Sequence, residues 1–216
     1  RPHTQGKYFR TLKAGLKWLH ENDYIEKDPT RGVKGISLPT IKVTSLTPEQ
    51  VRYALEKTKE HPRGDEIYAL ILAYLYLGCR ATEILPPYFT WDKFHGHTIE
   101  RPNLKQKKAE VEWITISLVG GDGEALRKIL EKRLKDKEKW SAPFPYRYWP
   151  VRRLLTGNFF PSIGLKANIQ MLRDTAATLR QISGQSLGAV SSLLGHSNPA
   201  VTMKYYTDKV QLLGSV

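Results

Sequence analysis

The sequence predicts a mainly α-helical protein with a small antiparallel β-sheet, an α+β fold. Apolar residues recur at steps of three and four over most of the 216-residue chain, which is the period of an amphipathic helix. Alternation of apolar and polar residues, the period of a strand, is confined to residues 91–118. The predicted order is therefore helices, a small sheet and helices again.

The N-terminal part is predicted to contain one helix followed by a linker. The helix spans residues 8–19 and carries one apolar stripe, which we expect to be buried: Phe9, Leu12, Leu16 and Leu19. Residues 30–45 contain several Gly and Pro but few periodic apolar positions, so we interpret them as a linker. The chain is thereby divided into a short segment, residues 1–29, and a main domain, residues 46–216.

Two helices are predicted at the start of the main domain. Thr47 is typical of an N-cap, because Pro48 follows it and Gln50 completes a capping box. The next helix, over residues 65–77, is apolar almost all round, which indicates a place in the core. Gly78 is expected to end it.

Two short strands are predicted in the middle of the chain. One surrounds Ile99, which is flanked by Thr98 and Glu100, and the other covers residues 114–118. The segment between them, residues 103–108, is polar and basic. We therefore interpret it as the tip of a hairpin.

The remainder is predicted to be helical apart from one loop. A turn at Gly120, Gly121 and Gly123 precedes a charged helix over residues 124–139. Residues 140–163 are rich in Pro and aromatic residues, and we interpret them as a loop with a short helix. Three more helices are expected: residues 168–183, 187–194 and 199–205.

Composition narrows the class of partner. Lys and Arg number 34 against 21 Asp and Glu, a formal net charge of +13. Such an excess favours a nucleic acid partner over an anionic membrane surface, with a merely solubilising surface as the alternative. No apolar run reaches the roughly 18 residues of a membrane span, so no membrane partner is expected. The single cysteine, Cys79, excludes an internal disulfide and fits a reducing, intracellular compartment.

The segment after the predicted core helix contains Arg80 and Glu83. An Arg beside the core needs a carboxylate or a phosphate as a partner, because burying it alone is unfavourable. Glu83 is expected to hold Arg80 in place, and a simple Arg80–Glu83 pair one turn apart on a helix is the alternative. Cys79 is expected to be a buried, inert thiol, with a reactive thiol beside Arg80 as the alternative.

Two later segments hold further polar residues of interest. They are Gln170, Met171, Leu172, Arg173 and Asp174 in the first, and Leu194, Gly195, His196 and Ser197 in the second, with Tyr205 and Tyr206 beyond. Taken singly, a His after Gly is typical of a turn, and a Tyr is typical of packing.

Together the three segments resemble the tyrosine recombinase (phage integrase) family. That family has a first Arg in a Gly-x-Arg-x-x-Glu-Ile/Leu context, matched by Arg80. A second Arg stands in a His-x-Leu-Arg-His box, and Arg173 matches it. A third box, Leu-Gly-His-Ser, is matched around His196, and the family's nucleophilic Tyr, nine residues after that His, corresponds to Tyr205. The resemblance covers residues 46–207, with the boxes in family order.

The resemblance implies six catalytic positions: Tyr205, Arg80, Arg173, His196, Lys105 and Gln170. Gln170 stands where the family has His, and its amide can donate a hydrogen bond but cannot carry a proton. Lys105 begins the basic run of the predicted hairpin and is the implied general acid, with Lys107 and Lys108 as alternatives. Tyr206 is the alternative nucleophile.

The implied activity is site-specific DNA recombination of the integrase or excisionase type, through a covalent 3′-phosphotyrosine intermediate. It needs no cofactor, metal or ATP, and the sequence contains neither a P-loop nor a His-Glu-x-x-His motif. The implied partners are double-stranded DNA and further copies of the chain in a homotetramer on synapsed sites, with a monomer as the alternative for the isolated chain. The expected location is the cytoplasm, in association with the nucleoid.

Residues 1–29 resemble the last helix of the family's N-terminal core-binding domain. Two other functions remain open. Gln170 suggests a catalytically impaired DNA-binding derivative of the same fold. A type IB topoisomerase-like enzyme, which nicks and closes DNA, would share the covalent step.

Overall fold

The computed structural model describes residues 2–37, 44–104 and 110–196. The chain divides into two compact units, Arg1–Lys42 and Val43–Val216. It is mostly helical with one two-stranded antiparallel sheet, which confirms the predicted fold class. Among the helices described, none combines the length and the apolar character that crossing a membrane requires.

The first unit is built on helix α1, Pro2–Glu21. The chain beyond it returns to the helix, and the Lys13 ammonium donates to the Val33 carbonyl at 3.1 Å. The prediction of a buried stripe on this helix is wrong, since Leu12 is 59% exposed and Phe9 is only half-buried. The physical reason is that the described part of this unit contains no second helix to cover the stripe.

The second unit opens with helix α2, Pro48–Lys57, and a 3₁₀ turn, Thr58–Glu60. The predicted capping box is confirmed: Thr47 Oγ1 accepts from the Gln50 amide at 3.2 Å, and Gln50 Oε1 accepts from the Thr47 amide at 3.0 Å. The Thr47 and Gln50 side chains thereby each accept from a backbone N–H that the start of a helix leaves unpaired.

Helix α3, Gly64–Leu77, forms the centre of the core, as its apolar sequence predicts. Most of its side chains are buried, and it packs against a later helix that carries part of the candidate site. Gly78 ends it in the left-handed region, with φ of 55°. A residue with a side chain would be strained there, so Gly78 sets the direction of the chain that follows.

The sheet consists of β1, Thr98–Pro102, and β2, Trp113–Ser117. The strands are antiparallel, with Thr98 opposite Ser117 and Pro102 opposite Trp113. Both predicted strands are confirmed, although β1 extends two residues beyond the predicted Thr98-Ile99-Glu100 stretch. Residues 105–109 of the predicted hairpin tip lie outside the described residues.

Helix α4, Gly120–Leu134, begins where the sequence predicts a turn. That prediction is wrong because the glycines lie in the first turn of the helix, which packs tightly on α3. A Cβ on Gly123 would stand 2.5 Å from the Tyr76 hydroxyl oxygen. The helix also ends at Leu134, five residues before the predicted end.

The predicted loop over residues 140–163 contains more helix than expected. Helix α5, Tyr148–Arg152, continues through a widened π-type stretch, Arg153–Phe159, into the short helix α6, Phe160–Ser162. Phe159 and Phe160 are buried in the core. Several aromatic residues of the predicted loop, including Phe144, are therefore packing groups of the core, although Trp149 is exposed.

The last described helices carry the residues of interest. Helix α7, Ile169–Ile182, is capped by Asn168, and helix α8, Leu187–Leu194, is capped by Ser186. Helix α7 packs against both α3 and α8. The structure thereby brings the ends of α3 and α8 to the same side of α7. The helix predicted over residues 199–205 lies outside the described residues.

Candidate active site

The turn after α3 carries Arg80 and Glu83. It is not the helix that the alternative interpretation assumed, because the residues after Gly78 leave helical conformation. The buried Tyr74 of α3 holds this turn by donating from its hydroxyl to the Ala81 carbonyl at 2.9 Å. The expected pair is present: Glu83 accepts from Arg80 Nη1 at 2.6 Å and from the Arg80 amide at 2.7 Å. The Arg80 side chain keeps 23% of its surface exposed.

Glu83 is fully buried and stands at the centre of three arginines. Its carboxylate accepts from Arg101 Nη1 at 3.0 Å and lies 3.8 Å from Arg173 Nη1, in addition to the contact with Arg80. Within residues 44–104 and 110–196, Glu83 is the only carboxylate with an oxygen within 4.0 Å of these guanidinium groups. One negative charge therefore faces three positive ones.

Arg173 joins the C-terminal ends of two helices. It projects from α7, and its Nη1 donates to the Gly78 carbonyl at 2.7 Å while its Nη2 donates to the Leu194 carbonyl at 2.6 Å. The last carbonyls of a helix lack partners within the helix and carry partial negative charge. Arg173 therefore fixes the end of α3 against the end of α8.

Burial affects the ionisation of these arginines without removing their charge. Burial lowers the pKa of Arg173 to about 10, and repulsion from Arg80 contributes in the same direction. The pKa of Arg101 is also lowered, mainly by burial. Both guanidinium groups remain protonated at neutral pH. An anion that entered the site would relieve their mutual repulsion.

Cys79 stands beside these charges but is shielded from solvent. The thiol is completely buried, and burial raises its pKa to about 12 despite the neighbouring Arg101 and Arg173. The sequence-based expectation of a buried thiol is confirmed.

His196 follows the end of α8 and meets Arg173. Gly195 takes the left-handed conformation, with φ of 64°, and the His196 amide donates to the Ser191 carbonyl at 3.0 Å. This turn places His196 Nε2 at 3.4 Å from Arg173 Nη2. The structure therefore brings together side chains that are 23 positions apart in the sequence.

Asn103, just after β1, links the two halves of this cluster. Its side-chain oxygen accepts from Arg80 Nη1 at 3.2 Å, and its side-chain nitrogen donates to the Gly195 carbonyl at 2.9 Å and to Glu112 at 3.0 Å. A Cβ on Gly195 would stand only 2.7 Å from that nitrogen. The glycine is needed for its close approach as well as for its positive φ.

The remaining predicted site residues differ in where they lie. Gln170 is exposed in the first turn of α7, and its Nε2 donates to Asp174 Oδ1 at 3.3 Å. Gln170 thus faces solvent on the helix that carries Arg173. Five predicted residues lie outside the described residues: Lys105, Lys107, Lys108, Tyr205 and Tyr206.

Two residues of the cluster, Arg101 and Asn103, were missed by sequence reasoning. The signal for Arg101 was available, because side chains two positions apart on a strand share a face. Ile99 is buried, so Arg101 also points into the interior. A buried Arg needs partners, which would have directed attention to Glu83. No sequence signal identifies Asn103.

Comparison with known proteins identifies the family of the chain and solved structures with a similar fold. The model of the phage integrase family matches residues 44–211, most of the chain. No curated protein sequence matches the chain.

Among solved structures, a lambda integrase dimer bound to a COC' core site aligns with a TM-score of 0.70 and 15% identity, covering 91% of this chain and 57% of that one. XerH recombinase bound to palindromic difH substrate, in a post-cleavage complex, aligns with a TM-score of 0.69 and 17% identity, covering 93% of this chain and 62% of that one. The Tn1549 transposon integrase in complex with a circular intermediate DNA aligns with a TM-score of 0.66 and 15% identity, covering 94% of this chain and 74% of that one. The chain thus spans less than two thirds of the lambda integrase and XerH chains.

Proposed function

The chain belongs to the phage integrase family, and on that premise we propose that it cuts and rejoins DNA strands through a covalent tyrosine–phosphate bond. The observation that carries the proposal is the buried cluster in which Arg80, Arg173 and His196 converge around Glu83. Its excess of positive charge suits a phosphate group.

The scissile phosphate would bind at the open side of this cluster. Arg80 is partly exposed, so its planar guanidinium group can donate paired hydrogen bonds to phosphate oxygens. Arg173 lies behind it with only 3% of its side chain exposed, and it would donate through an N–H group that is not bound to the Gly78 or Leu194 carbonyl. His196, beside Arg173, would bind a third oxygen or assist proton transfer. These donors are fixed before DNA arrives, and fixed donors stabilise a developing charge most effectively.

The reaction we propose is a transesterification. The Tyr205 hydroxyl loses its proton and its oxygen attacks phosphorus, forming the tyrosine–phosphate bond as the bond to the DNA 5′-oxygen breaks. The free pKa of a Tyr hydroxyl is about 10, so the positive cluster or a base must favour the phenolate. Lys105 on the hairpin would give a proton to the leaving 5′-oxygen. A 5′-hydroxyl that attacks the same phosphorus restores the DNA and frees Tyr205.

The partner we propose is double-stranded DNA, bound by copies of the chain that assemble as a homotetramer on two synapsed sites. Three observations support it: the net charge of +13, the family, and the DNA named with the lambda integrase, XerH and Tn1549 integrase structures. A monomer is the alternative for the isolated chain. Integration or excision at specific sites is the activity we infer.

Gln170 is the departure that most affects the mechanism. Its amide can donate a hydrogen bond to a phosphate oxygen if it leaves Asp174, but it cannot exchange a proton. We therefore assign it a binding role and place proton transfer at His196 and Lys105.

The test is capture of a covalent adduct. The full chain is incubated with a randomised pool of nicked duplexes, from which the short fragment beyond the nick diffuses away and prevents religation. Adducts that survive denaturation are recovered and sequenced, and Tyr205→Phe and Tyr206→Phe serve as matched variants. We expect wild type and Tyr206→Phe to form adducts and Tyr205→Phe to form none.

Other outcomes identify the alternatives. Adducts with Tyr205→Phe but not with Tyr206→Phe would move the nucleophile to Tyr206. Binding of DNA without any adduct would support the catalytically impaired derivative. Adducts of random sequence, together with relaxation of supercoiled plasmid, would support the topoisomerase-like activity.

A further inference from the structure

Arg101 is a fully buried arginine at the end of β1 that belongs to none of the sequence motifs. Its Nη1 donates to Glu83 Oε2 at 3.0 Å, its Nε donates to the Leu77 carbonyl at 3.0 Å, and its Nη2 donates to the Leu193 carbonyl. With no exposed surface, its guanidinium group cannot touch a DNA phosphate. It can therefore affect cleavage only through the groups that it holds and through its charge.

Those groups belong to the site. Arg101 binds carbonyls at the ends of α3 and α8, next to the carbonyls that Arg173 binds at the same two helix ends. The end of α8 leads directly through Gly195 into His196. Arg101 and Arg173 therefore form two parallel connections between the helix ends that place Arg80 and His196.

Arg101 also determines the charge of the cluster. Glu83 is the only carboxylate within 4.0 Å of the three arginines in the described part of the chain, so two positive charges are unmatched. A DNA phosphodiester carries one negative charge, whereas attack by a phenolate gives a transition state that carries two. In a buried site of low dielectric, this difference of one charge matters more than it would in water.

We propose that Arg101 is a positioning residue for strand cleavage, which holds the end of α8 and matches the cluster's charge to the doubly negative transition state. The inference rests on the proposed function. Because the ground-state phosphodiester needs only one of the two unmatched charges, loss of Arg101 slows cleavage more than it weakens DNA binding.

The experiment compares Arg101→Met, which loses both charge and donors, with Arg101→Lys, which keeps the charge but loses the planar fork. The matched control is Arg133→Met, since Arg133 is also buried but donates to the Pro143 carbonyl and has no contact with the cluster. The probe is a nicked duplex recovered from wild-type adducts. Single-turnover adduct formation gives the cleavage rate, and fluorescence anisotropy in a Tyr205→Phe background gives the Kd.

We expect Arg101→Met to lower the cleavage rate by about 10- to 100-fold, the usual effect of losing a group that orients others in a site, with Kd almost unchanged. The cleavage rate of Arg101→Lys should lie between those of Arg101→Met and the wild type, and Arg133→Met should cleave at the wild-type rate. Circular dichroism establishes that each variant is folded at the assay temperature.

A wild-type cleavage rate in Arg101→Met overturns the inference, as does a loss of rate matched by an equal loss of affinity or by Arg133→Met. If Arg101→Met does not fold, Arg101→Lys decides: a slower rate at unchanged Kd supports the inference, and a wild-type rate overturns it. Failure of the wild-type chain itself to form any adduct overturns the proposed function, whereas adducts formed equally by wild type and the Arg101 variants overturn this inference alone.

Discussion

Two regions of the molecule bury arginine in different ways. Arg133 stands apart, with its guanidinium carbon 4.1 Å from the centre of the Trp140 ring and 5.0 Å from that of Phe144, and it donates to the Pro143 carbonyl at 2.8 Å. The cluster at Glu83 instead gathers three arginines around one carboxylate. Burial lowers the pKa of Arg133 as it lowers that of Arg173.

The difference shows what packing alone requires. One buried guanidinium group is accommodated by aromatic faces and a carbonyl, because both offer negative potential to a cation. Three such groups repel one another, and a single carboxylate does not balance them. An arrangement that retains this repulsion is explained by an anion that enters it, whereas Arg133 needs no ligand to account for it.

Glu83→Gln should have the largest effect, on stability, because it removes the negative charge at the centre of the cluster. We expect the free energy of unfolding to fall by about 3–5 kcal/mol, since breaking a buried ion pair leaves uncompensated charge. Urea denaturation measures it. The control is Glu49→Gln, because Glu49 and its partner Arg52 are both exposed and loss of this pair should cost less than about 1 kcal/mol. Equal losses in the two variants would show that the cluster is an ordinary ion pair.

Arg173→Met should have the next largest effect, this time on cleavage. Loss of a fixed donor to the phosphate should reduce adduct formation by about 100- to 1000-fold, or about 3–4 kcal/mol. Arg133→Met, at the contrasting arginine, should leave adduct formation unchanged once both proteins are confirmed to be folded. A similar loss in both would remove the distinction between the two regions.

Gly195→Ala should have an intermediate effect, on the connection between the cluster and α8. The left-handed φ of 64° and the clash with the Asn103 side chain should together lower the free energy of unfolding by about 2 kcal/mol. The control is Gly188→Ala, inside α8, where a Cβ would have no neighbouring atom closer than 3.9 Å. This substitution should be neutral or stabilising. Thermal unfolding of the pair checks this, and an unchanged Tm in Gly195→Ala would contradict the described geometry.

The smallest expected effect is that of the arginine cluster on the reactivity of the Cys79 thiol. Positive neighbours lower a thiol's pKa and burial raises it, and here burial prevails, with a pKa of about 12. The thiol is therefore protonated at pH 8, and iodoacetamide should modify it only after denaturation, as followed by mass spectrometry. Rapid modification of the folded protein would show that the cluster's field dominates at this position.

Much of the fold follows from local patterns in the sequence. The capping box at Thr47 and the all-apolar helix ended by Gly78 depend on neighbours a few residues away, so both were predicted correctly. The prediction of a turn at Gly120–Gly123 was wrong because tertiary packing determines the conformation of this segment. The close approach of Gly123 to Tyr76 is visible only when α3 and α4 lie side by side.

The site divides in the same way. Arg80, Arg173 and His196 were predicted because they occur in short motifs, and the structure brings all three together. Asn103 was missed because its importance depends on its contact with Gly195, which is distant in the sequence. Arg101 was missed although its place on the same strand face as the buried Ile99 was a signal in the sequence. All the catalytic assignments, including those of Tyr205 and Lys105, remain predictions.

The central claim is that the arginine cluster at Glu83 is the phosphate site, and anomalous diffraction from crystals soaked in tungstate tests it most directly. Tungstate is a tetrahedral dianion that imitates phosphate and scatters strongly. We expect an anomalous peak within hydrogen-bonding distance of the side chains of Arg80, Arg173 and His196. Saturated crystals that bind tungstate at other basic groups, such as Arg152 and Arg153, but leave this cluster empty would contradict it.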